Sequence, residues 1–234
     1  MKLSDLAISS YGYVHFTDYE KSYLRFLKRT NNSCDLTNAE HRKALLDWLN
    51  DWGCRQFSKA YRRVSAKQIL LWYREYRDVL FSSDKSILEL QERELGDAYE
   101  AFEALSVRVA SIRMRNGKKH QVTVGPTGAS KILFAVRREA LVAWDEAVRK
   151  GLKADGTAMD YLGFLQVMKT DMQSIEKQCR NHSISLGRLP AILERQHATV
   201  PQLISEYYWA KYTRNCAMPE WQDLKRLTTW ARGL

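Results

Sequence analysis

An all-α fold is what this sequence predicts, on three observations. Glycines number 11 and prolines 4 in 234 residues, about half their usual combined share and too few for a turn-rich β-sandwich. Apolar residues recur at helical spacing along most of the chain. Between those runs stand residues that start helices: Ser or Thr with Glu or Gln three positions on, or Pro near a first turn. The pattern gives about nine or ten helices and at most one short ribbon. It contains no internal repeat, low-complexity tract or long linker.

Taken in order, Thr37-Asn38-Ala39-Glu40 reads as a capping box. The helix behind it carries Leu45, Leu46, Trp48 and Leu49 and stops near Gly53. Ser65-Ala66-Lys67-Gln68 reads as a second box, opening a helix with Ile69, Leu70, Tyr73 and Tyr76. Asp84 reads as the cap of a longer helix through Leu95, Phe102 and Val109 that breaks before Gly117. An alternating piece, His120 to Val124, leads into Gly125-Pro126 and a helix from about Thr127 to Arg138. Another helix begins near Asp145. After the Asp155-Gly156 turn, a long helix runs from about Ala158 to Cys179, with Tyr161, Leu162, Phe164, Leu165 and Met168 apolar. Leu186 to Glu194 is a shorter element interrupted by Pro190. Thr199 and Pro201 start the next helix, and Pro219 opens a last one reaching Arg232. Trp72-Tyr73 and Tyr207-Tyr208-Trp209 read as core aromatics.

Composition excludes several classes. No run of eighteen apolar residues is present, so no membrane span is expected. Met1 to Ser10 lacks the apolar stretch of a secretory leader, which makes a cytoplasmic, nucleoid-associated protein the expectation. Cys34, Cys54, Cys179 and Cys216 show no CxxC spacing and have no His at ligand distance. They read as reduced thiols, with no zinc, iron–sulfur cluster or other cofactor expected.

The net charge is +10, and its distribution is uneven. Between Asp84 and Glu103 seven acids face two bases, Lys85 and Arg93. From Ala104 to Arg138 there is no acid, while Arg108, Arg113, Arg115, Lys118, Lys119, Lys131, Arg137 and Arg138 are basic. A long window of one sign reads as a phosphate-binding surface.

The segment Val124-Gly125-Pro126-Thr127-Gly128-Ala129-Ser130-Lys131-Ile132-Leu133 lies inside that window. A glycine corner ahead of a helix offers free backbone N–H groups and a positive helix end, which suit a phosphate oxygen. Lys118, Lys119 and His120 stand just upstream. The small residues Gly128 and Ser130 allow close approach of a helix or a nucleic-acid backbone. Asp145 follows Thr127 by eighteen residues, at a helix N-cap position where its ionised form is favoured. His120 and His182 read as surface residues.

This stretch resembles the helix-hairpin-helix base-excision DNA glycosylases: endonuclease III, the adenine-mismatch glycosylase and the 8-oxoguanine glycosylases. Val124-Gly125 matches their Val-Gly, Ala129 the helix alanine, and Asp145 the catalytic Asp without a gap. Val148 matches the apolar residue three beyond it. Ala-Ser-Lys-Ile-Leu followed by Trp-Asp is most like the bacterial 8-oxoguanine-glycosylase-like branch. The match spans about a tenth of the chain. Thr123 replaces the first hairpin Gly, Val122 stands where Pro is usual, and Thr127 holds the position of the Schiff-base Lys. Lys131 lies one turn beyond Thr127 on the same helix face.

The resemblance implies a two-lobed, all-α helical bundle with a helix-hairpin-helix motif. It implies a helical segment at 1–83 packing with the C-terminal helices, a catalytic region at 84–180 and closing helices at 181–234. It implies an N-glycosylase that hydrolyses a damaged or modified base from double-stranded DNA, with Asp145 shielding the positive sugar. Thr127 in the lysine position favours simple hydrolysis, with AP-lyase chemistry through Lys131 as the second mode. Lys118, Lys119, His120, Val124, Gly125, Thr127, Gly128 and Ser130 would meet DNA. Two other readings fit the residues: a non-catalytic helix-hairpin-helix DNA-binding protein, and a helical scaffold whose basic window meets an acidic protein.

Overall fold

The computed structural model describes residues 1–213, 219–229 and 231. Among them eleven α-helices and one two-stranded ribbon account for the regular structure, apart from three short 3-10 turns. The chain opens with α1 (Leu3–Phe16), α2 (Tyr19–Arg29), α3 (Ala39–Asp51) and α4 (Arg62–Tyr76). The middle holds α5 (Glu92–Ser106), β1 (Val109–Arg115), β2 (Lys118–Thr123), α6 (Gly125–Val136) and α7 (Glu146–Gly151). It closes with α8 (Ala158–Asn181), α9 (Leu189–Ile192), α10 (Val200–Thr213) and α11 (Trp221–Leu227). Cys216 and the expected helix end at Arg232 lie outside the described residues. No described helix is long and apolar enough to cross a membrane.

Three of the expected helix starts move, the one placed at Asp84 to Glu92, behind a 3-10 turn at Ile87–Glu89. The Asn38 side chain, rather than Thr37, caps α3 by accepting from the Glu40 amide at 2.8 Å. The Thr37 hydroxyl is taken by Asp35 instead. Ser65 lies inside α4, and its hydroxyl donates to the Ala110 carbonyl, so a reading of Ser65 as a cap gives way to a helix–strand tie. α8 agrees with the expectation and adds a cap. The Thr157 hydroxyl accepts from the Asp160 amide at 3.1 Å, and Asp160 reaches back to the 155, 156 and 157 amides. Pro190 starts α9 rather than interrupting it, because its missing N–H falls in the first turn.

The larger difference lies between α5 and α6. The expected long helix from Asp84 ends at Ser106, and Val109 already belongs to a strand. The connection is therefore an antiparallel β-ribbon, not the compact hairpin expected of a helix-hairpin-helix motif. Asn116 (φ +50°) and Gly117 (φ +73°) make its two-residue link, the pair that a tight ribbon turn requires. Gly125 (φ +66°) then turns the chain from ribbon into helix.

α6 is buried on all sides from Gly128 to Val136, as an apolar helix at the centre of a domain should be. α8 lays Tyr161, Phe164, Leu165, Met168 and Ile175 into the same core. α1 packs against α10, near the other end of the chain. One continuous apolar core runs through all three segments of the chain. Trp72 and Tyr73 belong to it.

Candidate active site

A buried charge is the conspicuous feature of α6. Lys131 is 2% exposed, and a lone ammonium there would be heavily penalised. Its Nζ lies 2.8 Å from Asp145 Oδ1 and donates to the Trp52 carbonyl at 2.9 Å. It also stands 5.3 Å from the centre of the Trp52 ring, a favourable cation–π distance. Burial alone would pull the Lys131 pKa down. The neighbouring Cys54 sulfur and the Asp145 carboxylate outweigh it and hold the pKa above the usual lysine value. Burial pushes the Cys54 thiol up to about 11, against the pull of Lys131.

Asp145 is held by its neighbours in the chain. It is the N-cap residue of α7 by backbone conformation, and its carbonyl accepts from the Arg149 amide at 3.0 Å. Its side chain makes no capping bond and turns to Lys131 instead. The preceding Trp144 is fully buried against Tyr161 and Phe164. The Trp144 amide donates to Ser130 Oγ at 3.0 Å. Arg149 donates to Thr127 Oγ1 at 2.7 Å and to the Trp144 carbonyl at 3.1 Å. These bonds clamp the α6–α7 connection on both sides of Asp145.

The pair sits where two hollows meet. The inner one is narrow, with a cavity volume of about 40 Å³, room for a few water molecules and below the range of small-molecule sites. Tyr13, Tyr19, Trp52, Phe134 and Trp209 wall it. Tyr19 meets Trp209 edge-on at 5.6 Å, while Trp52 and Phe134 are nearly parallel. The outer hollow is shallower and includes Gly53, Cys54, Gln56, Thr127 and Lys150 beside the same Lys131 and Asp145.

Gln202 and Glu206, successive on one face of α10, also line the inner hollow. Gln202 Nε2 donates to Glu206 Oε1 at 2.8 Å. That bond fixes the amide, and leaves Gln202 Oε1 buried without a partner. Glu206 is doubly bonded by Arg195, which also binds Glu20. Burial raises the Glu206 pKa in spite of Arg195.

The residues expected to meet DNA divide. Lys118, Lys119 and His120 are exposed on the ribbon, and Thr127 borders the outer hollow. Gly125 turns the ribbon into α6 and is half-buried. Val124, Gly128 and Ser130 are buried and are corrected to packing roles. At Gly128 a Cβ would stand 2.8 Å from Gln56 Nε2 and 2.9 Å from Val124 Cγ1, so the glycine admits the Gln56–Phe57 segment, not a nucleic-acid backbone. Ser130 is the tie to Trp144. His120 and His182 are both at the surface.

Sequence reading missed the aromatic walls, Gln202 and Glu206. Trp209, read as core, lines the hollow. No periodic signal distinguishes a wall aromatic from a core aromatic. A Gln-x-x-x-Glu pair on an otherwise apolar helix was the available hint at Gln202 and Glu206. No protein-family model, curated protein or solved structure matches the chain.

Proposed function

We propose that this protein is a DNA N-glycosylase, hydrolysing a damaged or modified base turned out of duplex DNA. One observation carries the reading: buried Lys131 paired with part-exposed Asp145 where an aromatic-walled hollow meets an open one. A buried ion pair adds little stability over an apolar pair of the same volume. Its place at the edge of the open outer hollow therefore argues for chemistry rather than architecture.

In this reading the aromatic walls part to admit the base, and new ring contacts offset the unstacking cost. Gln202 Oε1 accepts a hydrogen bond from an N–H on the far edge of the base. The deoxyribose then lies at the junction of the two hollows, with its phosphates toward the outer one. As the N-glycosidic bond breaks, its electron pair leaves with the base and positive charge grows on the sugar. Asp145 stabilises that charge, and a water adds at C1′ and releases its proton. Lys131, as an ammonium, holds the carboxylate in place. It is a candidate nucleophile only after losing a proton.

The test is incubation of purified protein with a panel of lesion-bearing and hypermodified duplexes, scored for free base. Asp145→Asn should lose release and keep DNA binding. Borohydride trapping, abolished in Lys131→Gln, would reveal the lyase mode. If Asp145→Asn releases base as fast as the parent, the assignment is wrong. The non-catalytic DNA-binding reading draws support from the same pair, since an Asp145 neutralised at 2.8 Å is also a stable resting arrangement. It predicts salt-dependent binding with no turnover on any substrate.

A further inference from the structure

We propose that the β1–β2 ribbon is an arm that grips the phosphates of duplex DNA beside the candidate site. The inference rests on the duplex-DNA reading above, but not on catalysis.

The ribbon's register puts Arg113 opposite His120 and Arg115 opposite Lys118. Directly opposed residues, and residues two apart on a strand, share a face. Arg113, Arg115, Lys118 and His120 therefore form one face with no acid on it. Ile112, Met114, Lys119 and Gln121 form the other. From Arg113 to Gln121 every residue is exposed, so no packed core holds this end. None of Arg113, Arg115, Lys118 and Lys119 makes an ion pair among the described residues. Like charges facing each other across a ribbon repel, and an isolated two-stranded ribbon is marginal in water. A polyanion lying on this face would turn that repulsion into attraction.

Spacing and placement favour a nucleic-acid backbone. Arg113 and Arg115 stand about 6.8 Å apart along the strand, equal to two nucleotide rises on one DNA strand. The ribbon runs directly into α6, and Lys131 lies about 9 Å along that helix from Gly125. At the ribbon's root the Val124 carbonyl accepts from Gln56, a residue of the outer hollow, at 2.9 Å. β1 packs on α4 and on the 3-10 turn at Lys59–Tyr61, where Lys59 and Arg63 are exposed. A basic track thus leads from the ribbon to the outer hollow.

The experiment compares the parent with Arg113→Gln/Arg115→Gln/Lys118→Gln in binding a short fluorescein-labelled duplex across a salt series. Each phosphate contact contributes about 0.9 to the log–log salt slope. The triple variant should show a slope shallower by about 3 and an affinity lower by about 100-fold at 0.1 M salt. Circular dichroism verifies that the variant is folded. Independently, hydrogen exchange of the parent with saturating duplex should slow at residues 112–121. Unchanged affinity and slope in a folded variant overturn the proposal, as does unchanged ribbon exchange in the bound parent. Base release is scored separately. Loss of duplex binding in the ribbon variant with no substrate ever cleaved leaves the arm standing and removes the glycosylase. Base release at parental affinity in the ribbon variant does the reverse.

Discussion

Replacing Asp145 by Asn should leave Lys131 as a buried ammonium without its counter-ion. Removing one partner of a fully buried pair costs about 3–5 kcal/mol. Here the Asp145 side chain is 29% exposed, the Trp52 carbonyl still accepts from Lys131, and the new amide keeps one oxygen. The expected loss is therefore smaller, about 2 kcal/mol, or about 4–8 °C in Tm for a chain of this length. Deprotonation offers no escape at pH 7, because shedding the proton of a lysine with a pKa of about 10.4 costs about 4–5 kcal/mol. The assay is urea unfolding of the parent, Asp145→Asn, Lys131→Gln and the double variant, closed as a cycle. A coupling of about 1–2 kcal/mol is expected. The pH dependence has a definite sign. The Lys131 pKa is raised in the folded state, so its contribution is complete below about 10.4 and is lost only as pH rises through the higher folded value. The gap between parent and Asp145→Asn should thus be flat from pH 6 to 8 and narrow above that, because burial without Asp145 lets Lys131 shed its proton earlier in the variant. Additive effects within about 0.3 kcal/mol, or a gap that closes near pH 7, would refute the ion pair and the reasoning built on it.

Gln202→Leu should cost about 1 kcal/mol of stability through the lost bond to Glu206, and lower kcat/KM for base release by roughly 10–100-fold; equal kcat/KM would remove Gln202 from base recognition. Ser130→Ala leaves the Trp144 amide buried without its acceptor. It should cost about 1–2 kcal/mol in urea unfolding and lower kcat with little change in KM, because Asp145 loses its clamp while the hollow keeps its walls. Asp160→Ala should cost about 1 kcal/mol by removing the α8 capping box. The Thr157 hydroxyl and the 155–157 amides depress the Asp160 pKa, so the parent's advantage is present above about pH 4 and disappears as pH falls through the lower folded value. Thermal unfolding at pH 7 and below pH 3 checks both halves.

The helices were legible where one strong local signal sufficed. Thr157 with Asp160, and Pro201 after Thr199, fix helix starts within the chain's own nearest neighbours. Ser65 was misleading because its hydroxyl is satisfied by Ala110, forty-five residues away, and no local pattern records that. Only the second strand of the ribbon was read: Asn116-Gly117 between alternating residues is a hairpin signal, and the apolar run ending at Val109 obscured the first strand. Of the site, Asp145 and Lys131 could be named from sequence, and their contact could not. Fourteen residues separate them, and the angle between α6 and α7 depends on the Ser130 and Arg149 bonds. Gln202 offered only its spacing from Glu206, since its importance lies in an oxygen left unpaired by tertiary packing.

The position of the lysine bears on which chemistry the site favours. In the glycosylases that this segment resembles, the nucleophilic lysine would stand at Thr127, at the first turn of the helix. Here Thr127 accepts from Arg149, and the amine lies one turn deeper, at Lys131. Depth changes its electrostatics. At the first turn an amine meets the positive helix end, which favours its neutral form. At Lys131 it meets a carboxylate, a carbonyl and an aromatic face, all of which favour the ammonium. An ammonium cannot attack C1′, and it can steady a carboxylate. On the glycosylase reading, the shift by one turn therefore trades nucleophile for counter-ion, and base release should outrun strand cleavage at neutral pH. Raising the pH toward 10 frees a growing fraction of the amine. Borohydride-trapped adduct should then rise with pH while base release stays level, and trapping that is already maximal at pH 7 would show that Lys131 is not held as an ammonium when substrate is bound.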